Sequence, residues 1–191
     1  MRLAFVAAFF AALLSIGSAW AQSDRNQSAD TDSDKNNTLY IDLKDGRVAI
    51  EMYPKLAPKH VAQIKKLALE HKYDGIVFHR VIDGFMAQTG DPEGTGRGGM
   101  GDMLPAEFNS ESFTRGAVGM ARTQDPDSAQ SQFFIVTKDS LFLDGQYTLW
   151  GRVVSGMEFV DHIKQGPKPS GMVPAPQDKM IKVRLATDTK E

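Results

Sequence analysis

Leu39, Ile41 and Leu43 alternate with Tyr40 and Asp42, the period-two pattern of a half-buried strand. Lys44-Asp45-Gly46-Arg47 interrupts the pattern, and Val48, Ile50 and Met52 resume it, which predicts a β-hairpin. The period then changes. Pro58 suits a first helical turn, where no N–H is needed, and Val61, Ile64 and Ala68 follow at helical spacing with Lys59, Lys65 and Lys66 on a polar side. A helix over about 57–71 is predicted. From Tyr73-Asp74-Gly75 onward, short apolar runs divided by glycine turns predict strands at 76–82, 85–89, 117–121, 133–137, 147–154 and 179–185. A second helix is expected over 157–164, with Gly166 as its stop. Many short strands with two helices favour a sandwich or a barrel with helical caps, and periodicity alone does not establish closure.

The N-terminus departs from this pattern. Arg2, an apolar run from Leu3 to Ile16 and the small-residue pattern Ala19-Trp20-Ala21 have the order of a secretory signal peptide over 1–21, with cleavage expected after Ala21. The alternative, an uncleaved anchor, meets an apolar stretch shorter than the ~20 residues that span a bilayer. Residues 22–37, rich in Ser, Asp and Asn, cannot bury enough surface to offset their ordering entropy and read as a disordered polar linker. The folded unit is expected over 38–188, with 189–191 as a tail, and the leader implies export, to the periplasm or to the outside.

Composition narrows the chemistry. The 191 residues carry 22 Lys and Arg against 24 Asp and Glu, a net charge of −2. Loss of Arg2 with the leader leaves 21 basic residues against 24 acidic ones, a net charge of −3. No basic stripe stands out to attract a phosphate backbone, so nucleic acid is not an expected partner. Cysteine is absent, which excludes disulfides, thiol nucleophiles and Cys-based metal sites. The histidines at 60, 71, 79 and 162 show no metal-ligand spacing, and no Gly-x-Ser-x-Gly elbow is present. Asp125 and Asp127 lie in a Pro-containing loop of the solvated kind. Neither a metal nor a cofactor is expected, and hydrolysis has no evident machinery.

One stretch is more informative: Phe78-His79-Arg80-Val81-Ile82-Asp83-Gly84-Phe85-Met86-Ala87-Gln88-Thr89-Gly90-Asp91. If two strands flank the Asp83-Gly84 turn, alternation sends Met86 and Gln88 to one face and Phe85 and Ala87 to the other. Gln132 and Phe134 repeat the pairing of an amide with an apolar neighbour, with Phe133 turned into the core. Strand aromatics usually serve packing and an isolated Arg usually lies on the surface. The recurrence in two separated strands instead points to a small apolar pocket edged by hydrogen-bond donors. His79 reads equally as a packed histidine or as a base. Gly94-Thr95-Gly96-Arg97-Gly98-Gly99 lacks the following helix that a phosphate cradle needs, and reads as a flexible surface loop.

The stretch from Phe78 to Asp91 closely resembles the signature of the cyclophilins, the prolyl cis/trans isomerases. Ser131-Gln132-Phe133-Phe134-Ile135 resembles their second signature, and Leu143-Asp144-Gly145 through Gly151-Arg152-Val153, then Gly156-Met157, their third. The resemblance covers about 38–185. It implies an all-β-dominated fold, a closed eight-stranded antiparallel β-barrel capped by two α-helices, with a shallow exterior groove for proline-containing peptides of unfolded or folding proteins. It also implies catalytic roles for Arg80, Phe85 and Gln88, with Arg80 as the arginine that acts on the bond. Substrate binding falls to Met86, Ala121, Arg122, Gln132, Phe134, Phe142, Leu143 and Tyr147. Across the two sets, the resemblance has Phe85, Met86, Phe134 and Leu143 line the proline pocket, and Gln88 and Gln132 hold the peptide backbone.

Some positions depart from the best-known eukaryotic members: Phe142 stands where many carry Trp, Tyr147 where His is frequent, and Arg122 where Asn is common. The loop 123–130 is one residue longer, and these differences resemble bacterial members. Without an indole N–H at Phe142, weak cyclosporin binding is expected. The implied function is prolyl isomerisation by a monomer, with a non-catalytic proline-peptide receptor or chaperone as the alternative. Arg80 favours catalysis, because holding a peptide needs only the pocket and the amides.

Overall fold

A computed structural model describes residues 35–188. The leader, most of the linker and the tail (1–34 and 189–191) lie outside the described residues. Eight strands form one antiparallel sheet: β1 (Thr38–Asp42), β2 (Arg47–Met52), β3 (Arg80–Ile82), β4 (Met86–Thr89), β5 (Ala117–Met120), β6 (Phe133–Val136), β7 (Leu149–Ser155) and β8 (Lys182–Leu185). Helix α1 (Pro58–Leu69) follows the first hairpin and α2 (Met157–Asp161) follows β7. Asn37 is already tied to this unit, its carbonyl accepting from Met52 N at 2.7 Å and its Oδ1 from Lys65 Nζ at 2.8 Å.

The sheet order is β3-β4-β6-β5-β7-β2-β1-β8, so the sheet curls but does not close through a ladder between its ends. The expected closed barrel is therefore corrected to a half-barrel, and the reason lies at the free edge of β3. Val81 N donates to Gly171 O at 2.7 Å, and Val81 O accepts from Gly166 N at 3.0 Å. The segment 166–173 thus occupies the backbone groups that β8 would have needed. The approaches to β3 and β8 meet at the isolated bridge of Val77 with Lys179 and through hydrogen bonds from Gly75 N to Met180 O, Met180 N to Ile76 O and Phe78 N to Asp178 O, without a ladder between the two strands themselves. The strand expected over 76–82 consequently shrinks to its last three residues, and α2 stops short of the expected 157–164.

The concave side holds the main core. Phe133 and Trp150 have no exposure and meet edge-on at 5.5 Å, and the buried Tyr73 ring packs edge-on to Phe133 at 5.7 Å. Helix α1 contributes Val61, Ile64, Leu67 and Ala68 at the predicted helical spacing. Ala57 offers no side-chain cap, and Glu107 from a distant loop serves instead. Its carboxylate accepts from Lys59 N and His60 N, each at 3.1 Å, and contacts the buried His60 Nδ1 at 2.6 Å. A second, smaller apolar cluster lies apart from this core: Met86, Phe113, Ala117, Phe134, Val136, Leu143 and Leu149. Alternation along β6 divides the two, sending Phe133 to the first and Phe134 to the second.

Candidate active site

Register places the site on one cross-strand row. Arg80 on β3 pairs with Gln88 on β4, Gln88 with Phe134 on β6, Phe134 with Gly119 on β5, and Gly119 with Leu149 on β7. Residues directly opposite in antiparallel strands share a face, so the row gathers a guanidinium, an amide and an aromatic ring from three segments. A cavity of about 240 Å³ opens over it. Met86, Phe134 and Leu143 form its buried apolar floor, Phe85, Phe142 and Tyr147 its aromatic rim, and Arg80, Gln88, Ala121 and Arg122 its remaining wall. Every residue expected at the site lines this cavity except Gln132. That residue faces an adjoining hollow with Gly98 and Gln130, and reaches the site through a hydrogen bond.

Arg80 is fixed at two of its nitrogens. Nε donates to the Ser170 carbonyl at 3.1 Å and Nη1 to Gln88 Oε1 at 3.3 Å, while Nη2 donates to no described residue. The amides continue the chain: Gln88 Nε2 donates to Gln132 Oε1 at 2.8 Å, and Gln132 Nε2 to the Gly98 carbonyl at 2.7 Å. A carbonyl can only accept, so Gly98 sets which end of each amide faces the next, and Gln88 presents oxygen to the guanidinium. Gly98 is held in turn by Asp91, a fully buried carboxylate that receives Glu93 N at 2.9 Å, Thr95 N at 2.8 Å and Gly96 N at 2.6 Å. Burial works to raise the Asp91 pKa, but the N–H groups of Glu93, Gly98, Gly96 and Thr95 together hold it below the usual carboxylate range. The glycine-rich segment expected to be flexible is thus anchored on a buried charge.

Several expectations about side chains change. Phe85 does not alternate with Met86, because it belongs to the turn: Gly84 takes φ 70°, Phe85 N donates to Ile82 O at 3.1 Å, and β4 begins only at Met86. Its ring joins the cavity rim 5.5 Å from Phe142, while Ala87 faces the core. The two terminal nitrogens of Arg122 are occupied by backbone. The guanidinium donates to Thr123 O at 2.9 Å and Gln146 O at 2.8 Å, and lies 4.7 Å from the Tyr147 ring centroid, so it braces the wall. His79 is fully buried. Burial pushes its imidazole below its ordinary pKa, Arg80 adds to the shift, Asp91 and Gln132 oppose it, and the ring packs behind the site. It does not line the cavity.

The sequence reading missed the Ser170 and Gly98 carbonyls, since any residue could supply them, and Phe113, which stacks behind Phe134 at 5.7 Å. It also passed over Gly119, although a glycine inside a strand signals close approach by a neighbour. Among the described residues no group of His, Asp or Glu is arranged to hold a metal ion. An apolar hollow with one clamped guanidinium can bind a small apolar ring and donate a charged hydrogen bond to an atom beside it.

Residues 38–185 match the family model described as cyclophilin type peptidyl-prolyl cis-trans isomerase/CLD. The chain belongs to the cyclophilin-type peptidyl-prolyl cis-trans isomerases. A probable peptidyl-prolyl cis-trans isomerase of Brucella suis biovar 1 (strain 1330) is 51% identical over 203 aligned positions, covering 100% of this chain and 98% of that protein. Peptidyl-prolyl cis-trans isomerase B of Bacillus subtilis (strain 168) is 44% identical over 132 residues, 68% of this chain and 92% of that one. Among solved structures, a cyclophilin from Hirschia baltica superposes with a TM-score of 0.73 at 29% identity, covering 82% of this chain and 76% of its own. A Cryptosporidium parvum cyclophilin solved in the presence of the dipeptide Ala-Pro gives 0.71 at 27% identity, covering 78% of this chain and 98% of its own. The chain is therefore a peptidyl-prolyl cis-trans isomerase.

Proposed function

We propose that this cyclophilin seats the prolyl ring of an unfolded or folding protein in the cavity over Phe134, where Arg80 donates a hydrogen bond to the prolyl nitrogen as the Xaa-Pro bond twists. The peptide C–N bond resists rotation by roughly 18–20 kcal/mol because the nitrogen lone pair is delocalised into the carbonyl. Twisting returns the lone pair to nitrogen. A donor aimed there is stronger in the twisted state than in either planar isomer, which is the condition for acceleration. The apolar floor favours the same state, because the twisted bond has lost charge separation. A single charge-assisted hydrogen bond contributes about 1.5–3 kcal/mol, or up to about two decades of rate at about 1.36 kcal/mol per decade. Orientation and desolvation by Phe85, Met86, Phe134 and Leu143 supply the rest.

The observation that carries this reading is the state of Arg80: bound at Nε and Nη1, with Nη2 directed to no described residue, on the wall of a mostly apolar cavity. The leader pattern over 1–21 adds an expected setting, export to the periplasm, with the mature chain acting as a monomer. Exchange spectroscopy on an Ala-Pro peptide tests the chemistry, comparing the mature chain with Arg80→Ala and Phe134→Ala. Exchange catalysed by the unmodified chain and largely lost in both variants is expected. Binding without exchange by the unmodified chain would make it a peptide-holding module instead, and near-normal exchange by Arg80→Ala would remove the arginine from the mechanism.

A further inference from the structure

The β3–β4 turn borders two hollows. Phe85 and Met86 line the cavity over Phe134, while Asp83 and Gly84 line a second hollow of about 340 Å³. Val81, Ile82, Val160 and Ile163 give the second hollow an apolar lining, and Lys138 and Gln165 stand exposed at its edge. Its two carboxylates are matched within the protein. Asp83 pairs with Lys168 at 3.1 Å and Asp161 with Arg115 at 2.6 Å, whereas the Lys138 ammonium and the Gln165 amide bond no described residue. Two segments join the hollows: residues 83–86 and 137–143 each begin at the second hollow and end at the cavity. They run together, because Thr137 N donates to Phe85 O at 2.9 Å and Lys138 Cδ lies 4.0 Å from where a Cβ on Gly84 would stand. The ground between is apolar. Phe142 meets Phe85 at 5.5 Å, and both Phe142 and its neighbour Leu141 are exposed. An exposed apolar strip continuous with a binding cavity marks a surface that another molecule covers.

We infer that the second hollow extends the substrate site: it seats an apolar side chain, with an acidic neighbour toward Lys138, from the same polypeptide whose proline lies over Phe134. This rests on the reading that the cavity receives the prolyl ring. Continuity selects the occupant, since a chain leaving that ring across Phe85 and Phe142 reaches the second hollow without a break in apolar ground. An extended chain advances about 3.3–3.6 Å per residue, so positions a few residues from the proline fall there. Holding an unfolded chain at two points makes the second contact effectively intramolecular. That contact is the same in the planar and twisted states, so it lowers KM and leaves kcat alone.

The test is catalysed exchange by the mature chain on a short Ala-Pro peptide and on long peptides with the same centre that carry Leu-Glu beyond a spacer of about two, four or six residues, on either side of the proline. At one spacing the long peptide should show a KM about tenfold below that of the short one with kcat nearly unchanged, the effect of seating one apolar side chain. Gln165→Trp, which fills the hollow, should return the long-to-short ratio of kcat/KM to about one. Lys138→Glu should lower the ratio about threefold at low salt and less at high salt. The ratio is independent of how much protein is folded. Amide resonances of Gly84, Thr137 and Lys138 should move with the long peptide and not with the short one. A ratio near one at every spacing, a ratio that Gln165→Trp leaves unchanged, or resonance shifts confined to the cavity would overturn the inference, and a ratio unmoved by Lys138→Glu would remove the acidic neighbour from it. Exchange of the short peptide and its loss in Arg80→Ala are read in the same assay, so failure of the prolyl reading is distinguishable from failure of the second hollow.

Discussion

Phe133 and Phe134 are neighbours in β6, with 0% and 5% exposure, yet they belong to different parts of the molecule. Phe133 is enclosed by Tyr73 and Trp150 inside the curled sheet, while Phe134 has Phe113 behind it, Tyr147 edge-on at 5.7 Å and an open cavity in front. Burial as a number hardly separates them. What separates them is whether the space in front of the ring is filled by the protein's own atoms or left for another molecule, and this divides the core that maintains the fold from the smaller cluster that shapes the site.

The sharpest way to break that comparison is to truncate each ring. Phe133→Ala should cost about 3–5 kcal/mol in chemical denaturation, the loss seen when a fully enclosed ring leaves a cavity. Phe134→Ala should cost less stability while removing most catalysed exchange. Equal losses of stability, with activity following the folded fraction in both, would erase the distinction.

Acid should affect the loops around the site and the curled sheet alike. Asp91, Glu107 and Asp74 are each subject to burial that raises their pKa, and each is held below its ordinary value by N–H, His60 or Arg184 donors. A carboxyl with a depressed folded pKa contributes stability above its unfolded value, near pH 4, that is lost as pH falls through the lower folded value. Denaturation curves should therefore hold between neutrality and about pH 5 and weaken steadily below it, with a shallower decline for Asp91→Asn. A decline that begins near neutrality would point to other groups. The smallest effect concerns Phe142, 65% exposed on the cavity rim. Calorimetry should find weak cyclosporin binding with isomerisation intact, and Phe142→Trp should strengthen it. Tight binding by the unmodified chain would contradict the expectation.

Alternation made the split of Phe133 from Phe134 legible, and the Asp83-Gly84 turn between paired strands marked the place of Arg80, Met86 and Gln88. Phe85 was misplaced because a turn residue escapes the period of its strand, and the ladder starts one residue later. Closure of the barrel could not be read, because it depends on a backbone competition at Val81 between Gly166, Gly171 and β8, and backbone groups leave no trace in residue type. The anchoring of Arg80 by Ser170 O, and of the amides by Gly98 O, was hidden for the same reason. Glycine-rich sequence reads as flexibility, but a buried carboxylate at Asp91 turns the same residues into a fixed support.

The account depends most on what the guanidinium does for a bond already in the cavity. Exchange rates for an Ala-Pro peptide across a concentration series, with the unmodified chain and Arg80→Ala, separate holding from turning. The account predicts that Arg80→Ala lowers kcat by about a hundredfold, as loss of one preorganised donor does, and changes KM by less than about threefold, as expected for an interaction made mainly in the twisted state. An unchanged kcat with a raised KM would mean that Arg80 only holds the peptide.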